Sequence, residues 1–214
     1  MKTRFFSRAK EIYILIKSEM LCYLLSLIGL IKVKLFFRRA QMNRLEIGCG
    51  TSRKPGFVTT DINRTADYPF DLRIGLPFPD HSIDFIYSEH VLEHLNWRDL
   101  IALLQDCRRV LKPNGILSVV VPNARIYLNA YASSEHFDHK AFCSHPCGLL
   151  YKSKIDYVNY IFYMDGYHRY MFDEDNMIAV LREAGFSQAR LRPFDPELDQ
   201  LGRQYESLYA EALK

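Results

Sequence analysis

The chain has 214 residues, which suits one domain with a full hydrophobic core plus a short appendage. An apolar share of 49% excludes a chain disordered by composition. With 28 basic against 25 acidic residues, a formal charge of +3 and no long basic run interleaved with aromatics in the body, nothing points to a nucleic-acid partner. The five cysteines (Cys22, Cys49, Cys107, Cys143 and Cys147) form no small secreted framework, so a reduced, cytosolic setting is expected. Cys143-Ser-His145-Pro-Cys147 lacks a second Cys/His pair at zinc-finger spacing, and no metal site is assigned.

The first forty residues differ from the rest. Met20 to Ile31 is an uncharged, mostly apolar run flanked by Lys2, Arg4, Arg8 and Lys10 on one side and Lys32, Lys34, Arg38 and Arg39 on the other. At 12 residues it is shorter than the roughly 20 a membrane span needs, and Lys17 and Glu19 limit its extension backwards. No small-residue cleavage site follows it. The arm, residues 1–40, reads either as a helix on an anionic membrane, contacting it through residues 12–39, or as a helix docked on its own body or a partner. The first reading would make the chain peripheral on the inner face of the membrane.

From residue 41 to 214 strands alternate with helices, the pattern of a mainly parallel sheet. Asn43–Ile47 is a short strand running into Gly48-Cys49-Gly50. Only six residues, Thr51–Gly56, separate that turn from a second strand, Phe57–Ile62, so the first crossover is shortened. Ser82–Ser88 is a third strand. Trp97–Leu111 is an amphipathic helix, with Leu100, Leu103, Leu104, Cys107, Val110 and Leu111 at helical spacing. Pro113-Asn114-Gly115 stops it, and Ile116–Val121 reads as a strand buried on both faces. Residues 124–170 lose this regularity and read as an insertion with some helix of its own. Asp173–Ala184 is a helix closed by Gly185. Gln188–Phe194 and Ser207–Ala212 are the last two strands.

Four features carry chemistry. A strand followed by Gly48-Cys49-Gly50 lets the backbone turn sharply and approach a ligand, although the third small position is Ser52 rather than glycine. Asp61, at the carboxyl end of the next strand, stands where doubly wound folds bind ribose hydroxyls; it could equally cap its own turn. Asp71-Leu72 precedes Leu76-Pro-Phe-Pro-Asp80. Ser88-Glu-His-Val-Leu-Glu-His94 follows the third strand.

Leu45-Glu-Ile-Gly-Cys-Gly50, Thr60-Asp-Ile62, Asp71-Leu72, Leu76-Pro-Phe-Pro-Asp80, Ser82-Ile-Asp84, Ser88 to His94 and Arg109-Val-Leu-Lys-Pro-Asn-Gly-Ile-Leu117 together resemble class I S-adenosylmethionine-dependent methyltransferases of the methyltransferase-11 type. The likeness is greatest to short enzymes found alongside polysaccharide biosynthesis. His168-Arg-Tyr-Met-Phe172, Glu183-Ala-Gly-Phe186 and Ser207 to Lys214 are similar too, so the resemblance covers residues 43–214. It implies an α/β, Rossmann-like fold with a mainly parallel seven-stranded sheet and helices on both faces. It also implies S-adenosyl-L-methionine as cofactor and a small-molecule or glycan-related methyl acceptor. Glu46 and the Gly48, Cys49 and Gly50 backbone would hold the methionine end, and Asp61 the ribose. Asp71 and the Leu72 backbone would meet the adenine, while Ser88, Glu89 and His90 would border the sulfonium.

Methyl transfer needs alignment above all, and an oxygen acceptor also needs a base. His90 and His94 share a face if their stretch is helical, Glu93 lies beside them, and His168 and Tyr170 are set to face the same cleft. His136 and His139 are further candidates. Structural roles, capping or bonding to backbone, compete at each position. His90-Val-Leu-Glu93-His94 also matches the inverted zinc-hydrolase motif, with Glu174 or Glu183 as third ligand. A dinucleotide oxidoreductase and a non-catalytic partner module are the other readings.

Overall fold

The computed structural model describes residues 2–37, 44–51, 53–133, 135–143 and 153–214. Asn43, Ser52, His145 and Cys147 lie outside them.

A long helix, α1 (Lys2–Phe36), leads into β1 (Arg44–Ile47), β2 (Val58–Asp61), β3 (Tyr68–Pro69) and β4 (Ile83–Glu89). Then come α2 (Trp97–Val110), β5 (Leu111–Pro122), α3 (Ala124–Ala132), α4 (His139–Phe142), α5 (Ile155–Tyr163), α6 (Glu174–Glu183), β6 (Gln188–Leu191) and β7 (Ser207–Leu213). The seven strands form one sheet in the order β3-β2-β1-β4-β5-β7-β6. Only β7 runs against its neighbours; the pairs among β1 to β5 are parallel. The chain is therefore a Rossmann-like α/β fold.

Sequence pattern explains the elements. Asn96 caps α2 by accepting the Asp99 amide, and Leu100, Leu103, Leu104, Cys107 and Val110 turn one stripe inward. Each buried leucine there contributes about 1.5–3 kcal/mol. β5 starts earlier than expected, at Leu111, because the Pro113-Asn114-Gly115 stretch lies within the strand, where the pairing with β4 shifts register. β6 ends at Leu191, short of the expected Phe194. β3 is a two-residue strand the sequence did not reveal, paired through Thr60 and Tyr68.

Alternation sorts the sheet into two faces. Leu45, Ile47, Ile86, Leu117, Val119 and Val121 pack with residues of α1, α2 and α6. Tyr87, Val120 and Tyr209 pack on the other face with Phe57, Phe194 and Leu198, which are loop residues. Helices on both faces were expected; among the described residues that second core is closed by loops instead. The connection from β1 to β2 carries turns and no helix among its described residues.

Within residues 124–170, where some helix was expected, lie α3, α4 and α5. Tyr127, Cys143, Tyr160 and Ile161 form a separate small core with Phe137, Phe142 and Tyr157 around it. α1 is a continuous 35-residue helix, and the apolar run Met20–Ile31 lies within it. Its stretch Lys10–Phe36 is long and apolar enough to cross a membrane by length and composition. It nevertheless docks on the body. Leu25 and Val33 are buried, Ser26 Oγ accepts the Asp71 amide at 3.0 Å, and Lys32 donates to the Asp67 carbonyl at 3.0 Å. Glu19 pairs with Arg73 at 2.9 Å. Gly29 lies against β3 so closely that a Cβ would stand 2.1 Å from the Pro69 carbonyl oxygen.

Candidate functional site

The strand order reverses between β1 and β4, the place where open α/β sheets bind ligands beyond the carboxyl ends of their strands. Gly48 leaves β1 there with φ of 69°, its amide bonded to the Thr60 carbonyl at 2.8 Å. A Cβ on Gly48 would run into Val91 Cγ2 at 2.2 Å, so glycine is required by space as well as by conformation. Gly50, with φ of 57°, donates its amide to Asp61 Oδ2 at 2.9 Å. The other Asp61 oxygen accepts the Asn63 amide at 2.8 Å. Asp61 thus caps the turn while standing at the end of β2, so the local-capping alternative is realised in this structure.

Around this turn, Glu46 is buried and accepts the Lys54 amide at 3.1 Å. Burial raises its carboxyl above the ordinary value, against the opposing bond from Lys54. The Lys54 ammonium stands 3.4 Å from Glu89 and 4.6 Å above the Tyr87 ring. Glu89 also accepts the Gln200 amide at 3.1 Å. Ser88 is fully buried beside Ile47, and its Oγ has no hydrogen-bond partner among the described residues. Burial and the nearby Asp61 push the Cys49 thiol up to about 11, which makes it a packing group rather than a nucleophile. Asp71 and Leu72 follow β3. The Asp71 carboxylate is held by Arg73 at 2.6 Å and caps the short turn Leu72–Ile74.

Beyond the end of β4 opens a cavity of about 380 Å³. His90, Glu93, His94 and His168 line it, with Tyr127, Tyr160, Arg203 and Glu206 among the other lining residues. The motif does not share an α-helical face. His90 has φ of 52° and Leu92–His94 is a single 3-10 turn. The inverted zinc-hydrolase geometry, which needs that helix, is therefore absent here. Its suggested third ligand Glu174 is bonded to Asn123 and Arg125 instead. His90 turns Nε2 to the Ser207 hydroxyl at 2.8 Å and Nδ1 to Glu93 at 3.5 Å. Burial, with nearby Arg203, holds its pKa far below the ordinary range, so the ring is neutral.

Glu93 is 1% exposed, and neither carboxylate oxygen has a hydrogen-bond partner among the described residues. Burial pushes it up to about 8. Its own carbonyl accepts the Arg169 amide at 2.8 Å and the Tyr170 amide at 3.2 Å. Those two bonds bring His168 to the cavity from a remote part of the chain. Tyr170 is held instead against Trp97 and Phe172 and does not line the cavity. Nor do His136 and His139.

Sequence reasoning missed Lys54, Tyr127, Tyr160, Arg203 and Glu206. It also missed the buried group that braces the site, Asp199, which accepts from Arg192 at 2.6 and 2.7 Å and from the Tyr87 hydroxyl at 3.0 Å. No motif marks these residues, because segments distant in sequence supply them.

Residues 54–119 match the family model described as a methyltransferase domain. A probable S-adenosylmethionine-dependent methyltransferase of Mycolicibacterium smegmatis is 33% identical over 109 residues, 42% of this chain and 42% of that protein. A malonyl-[acyl-carrier protein] O-methyltransferase of Coxiella burnetii is 36% identical over 77 residues, 35% of this chain and 27% of that protein. The chain thus spans less than half the length of these relatives. Among solved structures, a SAM-dependent methyltransferase of Thermotoga maritima aligns over 99% of both chains, with 16% identity and a TM-score of 0.48.

Proposed function

We propose that this chain transfers a methyl group from S-adenosyl-L-methionine to an acceptor held in the cavity of His90, Glu93, His94 and His168. One observation carries the reading: the backbone turn at Gly48, with the buried Ser88 hydroxyl beside it that has no partner among the described residues, adjoins a separate polar cavity across the ends of β1 and β4. The match of residues 54–119 to a methyltransferase domain agrees with it.

The residues fit the cofactor. The Gly48 to Gly50 backbone, with Glu46 and Lys54, would hold the methionine end. Asp61 would take the ribose, exchanging its bond to the Gly50 amide, and Asp71 and Leu72 would edge the adenine. Ser88, Glu89 and His90 would border the sulfonium. When bound, the cofactor supplies the methyl group as an electrophilic sulfonium carbon. The chain's part is to align the acceptor and exclude water. Tyr127 and Tyr160 wall the acceptor in, and Arg203 gives the cavity a positive side. Glu93, His94 and His168 are the groups at hand for an acceptor proton.

The acceptor would be a small molecule or a glycan-related one; the glycan part rests on the resemblance of residues 43–214 to short methyltransferases found alongside polysaccharide biosynthesis. α1 would seat the chain on an anionic membrane surface. Large apolar side chains are exposed along it, from Ile12 to Phe36, with Lys17 and Lys34 among them and Lys10 just before. A span fits less well. Glu19, Ser26 and Lys32 bond to Arg73, Asp71 and Asp67 of the body, which leaves only the Lys10–Ser18 part of the apolar stretch before them, about 13 Å of helix.

Calorimetric titration with S-adenosylhomocysteine tests the core of the reading. One site per chain is expected, weakened at least about tenfold by Asp61→Ala, the loss of one hydrogen-bonded anchor. Absence of binding by the unaltered chain would overturn it.

A further inference from the structure

Positioning for methyl transfer does not by itself account for one arrangement in the cavity. A ligand atom from each of Glu93, His94 and His168 lies within 4.8 Å of the other two. His94 points Nδ1 at the Tyr167 carbonyl, 2.9 Å away. His168 points Nδ1 at the Ile161 carbonyl, 2.6 Å away. A carbonyl only accepts, so each ring bears its proton on Nδ1 and presents Nε2 as the electron-pair donor. Metal-binding histidines are held in this same way, by a backbone or carboxylate acceptor on the far nitrogen.

Glu93 supplies the second, independent observation. Its side chain is 1% exposed, and both oxygens lack a hydrogen-bond partner among the described residues. His94 Nε2 is 3.9 Å from Glu93 Oε1, and the His94 and His168 rings are 5.2 Å apart. A buried carboxylate with no donor is penalised by several kcal/mol unless it keeps its proton or meets a cation.

We propose that Glu93, His94 and His168 bind a divalent transition-metal ion of the zinc class at the acceptor end of the cavity. Two imidazole nitrogens and one carboxylate suit zinc, manganese or ferrous ions better than magnesium or calcium, which prefer oxygen ligands throughout. Metal–ligand bonds of about 2.0–2.2 Å in tetrahedral geometry require the ligand atoms to draw together by up to about 1.5 Å. The His94 side chain, 45% exposed, has room to move, and Glu93 has no hydrogen bond to break. Three protein ligands leave an open position facing the cavity, fitted to an oxygen of the acceptor. There Glu93 and the two rings would act on the acceptor through the ion. His90, bonded to Ser207, is a positioning residue behind Glu93 and not a ligand. This ligand set differs from the inverted zinc-hydrolase motif and replaces the sequence reading that assigns no metal.

The acceptor role rests on the methyl-transfer reading; the ion site does not. The full chain, stripped with a chelator, is titrated with Zn²⁺ by calorimetry and with Co²⁺ by visible absorption. One ion per chain is expected, with d–d bands of a nitrogen- and oxygen-ligated cobalt centre. Glu93→Gln and His94→Ala should each weaken binding beyond the 10–100-fold typical of losing a mere supporting partner. His94 is half exposed, so His94→Ala decides the matter if Glu93→Gln fails to fold. No stoichiometric ion, or unchanged affinity in a folded variant, overturns the site. S-adenosylhomocysteine binding in the same samples separates the two ideas: cofactor without metal sinks only the site, and metal without cofactor sinks only the methyltransferase.

Discussion

Gly48→Ala tests the geometry of the glycine turn most directly. The new methyl would stand 2.2 Å from Val91 Cγ2 and 2.9 Å from Cγ1, on a residue with φ of 69°. The left-handed backbone costs an L-residue about 1–2 kcal/mol. Forcing a methyl into a filled site adds about 1–3 kcal/mol. The single substitution should therefore destabilise the fold by about 2–5 kcal/mol, and Val91→Ala alone by about 1 kcal/mol. Combining them removes the collision and keeps the backbone strain. Urea unfolding of the four proteins, followed by circular dichroism, should show the double variant more stable than the sum of the singles by about 1–3 kcal/mol. Additivity within about 0.5 kcal/mol would refute the claim that Val91 is what excludes a side chain at Gly48.

Asp199→Ala should cost about 3–5 kcal/mol in denaturant unfolding, because it leaves Arg192 buried without its carboxylate. Burial works to raise the Asp199 pKa, but the bonds from Arg192 and the Asp195 amide outweigh it and hold the group below its ordinary value. Such a group contributes stability above the unfolded carboxylate pKa of about 3.9 and loses it as pH falls through the lower folded value. The melting temperature of the unaltered chain should thus drop more steeply below about pH 4 than that of Asp199→Asn; parallel curves would contradict the assignment. On α1, Ile16→Glu combined with Leu24→Glu changes two side chains that are 55% and 56% exposed. Flotation with phosphatidylglycerol vesicles should fall at least about 100-fold, since each apolar side chain buried in lipid contributes about 1.5–3 kcal/mol. The melting temperature should hold; undiminished flotation would end the membrane reading.

Much of the fold was legible because periodicity survives in isolated elements. Leu100 to Val110 repeats at helical spacing, and the Leu117 to Val121 run declares a buried strand. β3 was not legible, since Tyr68 and Pro69 belong to a strand only by pairing with Thr60 and Asp61. The extent of the apolar stretch on α1 was obscured by Lys17 and Glu19, which break the run but sit on a helix that Glu19 ties to Arg73. Aromatic crowding hid the bounds of α3 to α5: Tyr127, Phe137, Tyr157 and Tyr160 pack on one another, so a binary pattern of apolar and polar positions is lost. At the site, local motifs located Gly48, Asp61 and His90 to His94. His168 was drawn from its motif, but its nearness to Glu93 depends on two backbone bonds between distant segments. Sequence spacing contains no trace of those.

Those two bonds have a further consequence. Because one peptide carbonyl, that of Glu93, receives the amides of both Arg169 and Tyr170, the spacing between Glu93 and His168 is set by main chain. Tyr127 and Tyr160, which also line the cavity, belong to a small core of their own on α3 and α5. α5 has a second task, since its Ile161 carbonyl holds the His168 ring. Side chains on α3 can therefore be exchanged to reshape what the cavity admits while Glu93 and His168 keep their main-chain ties, whereas a shift of α5 moves a reactive group as well.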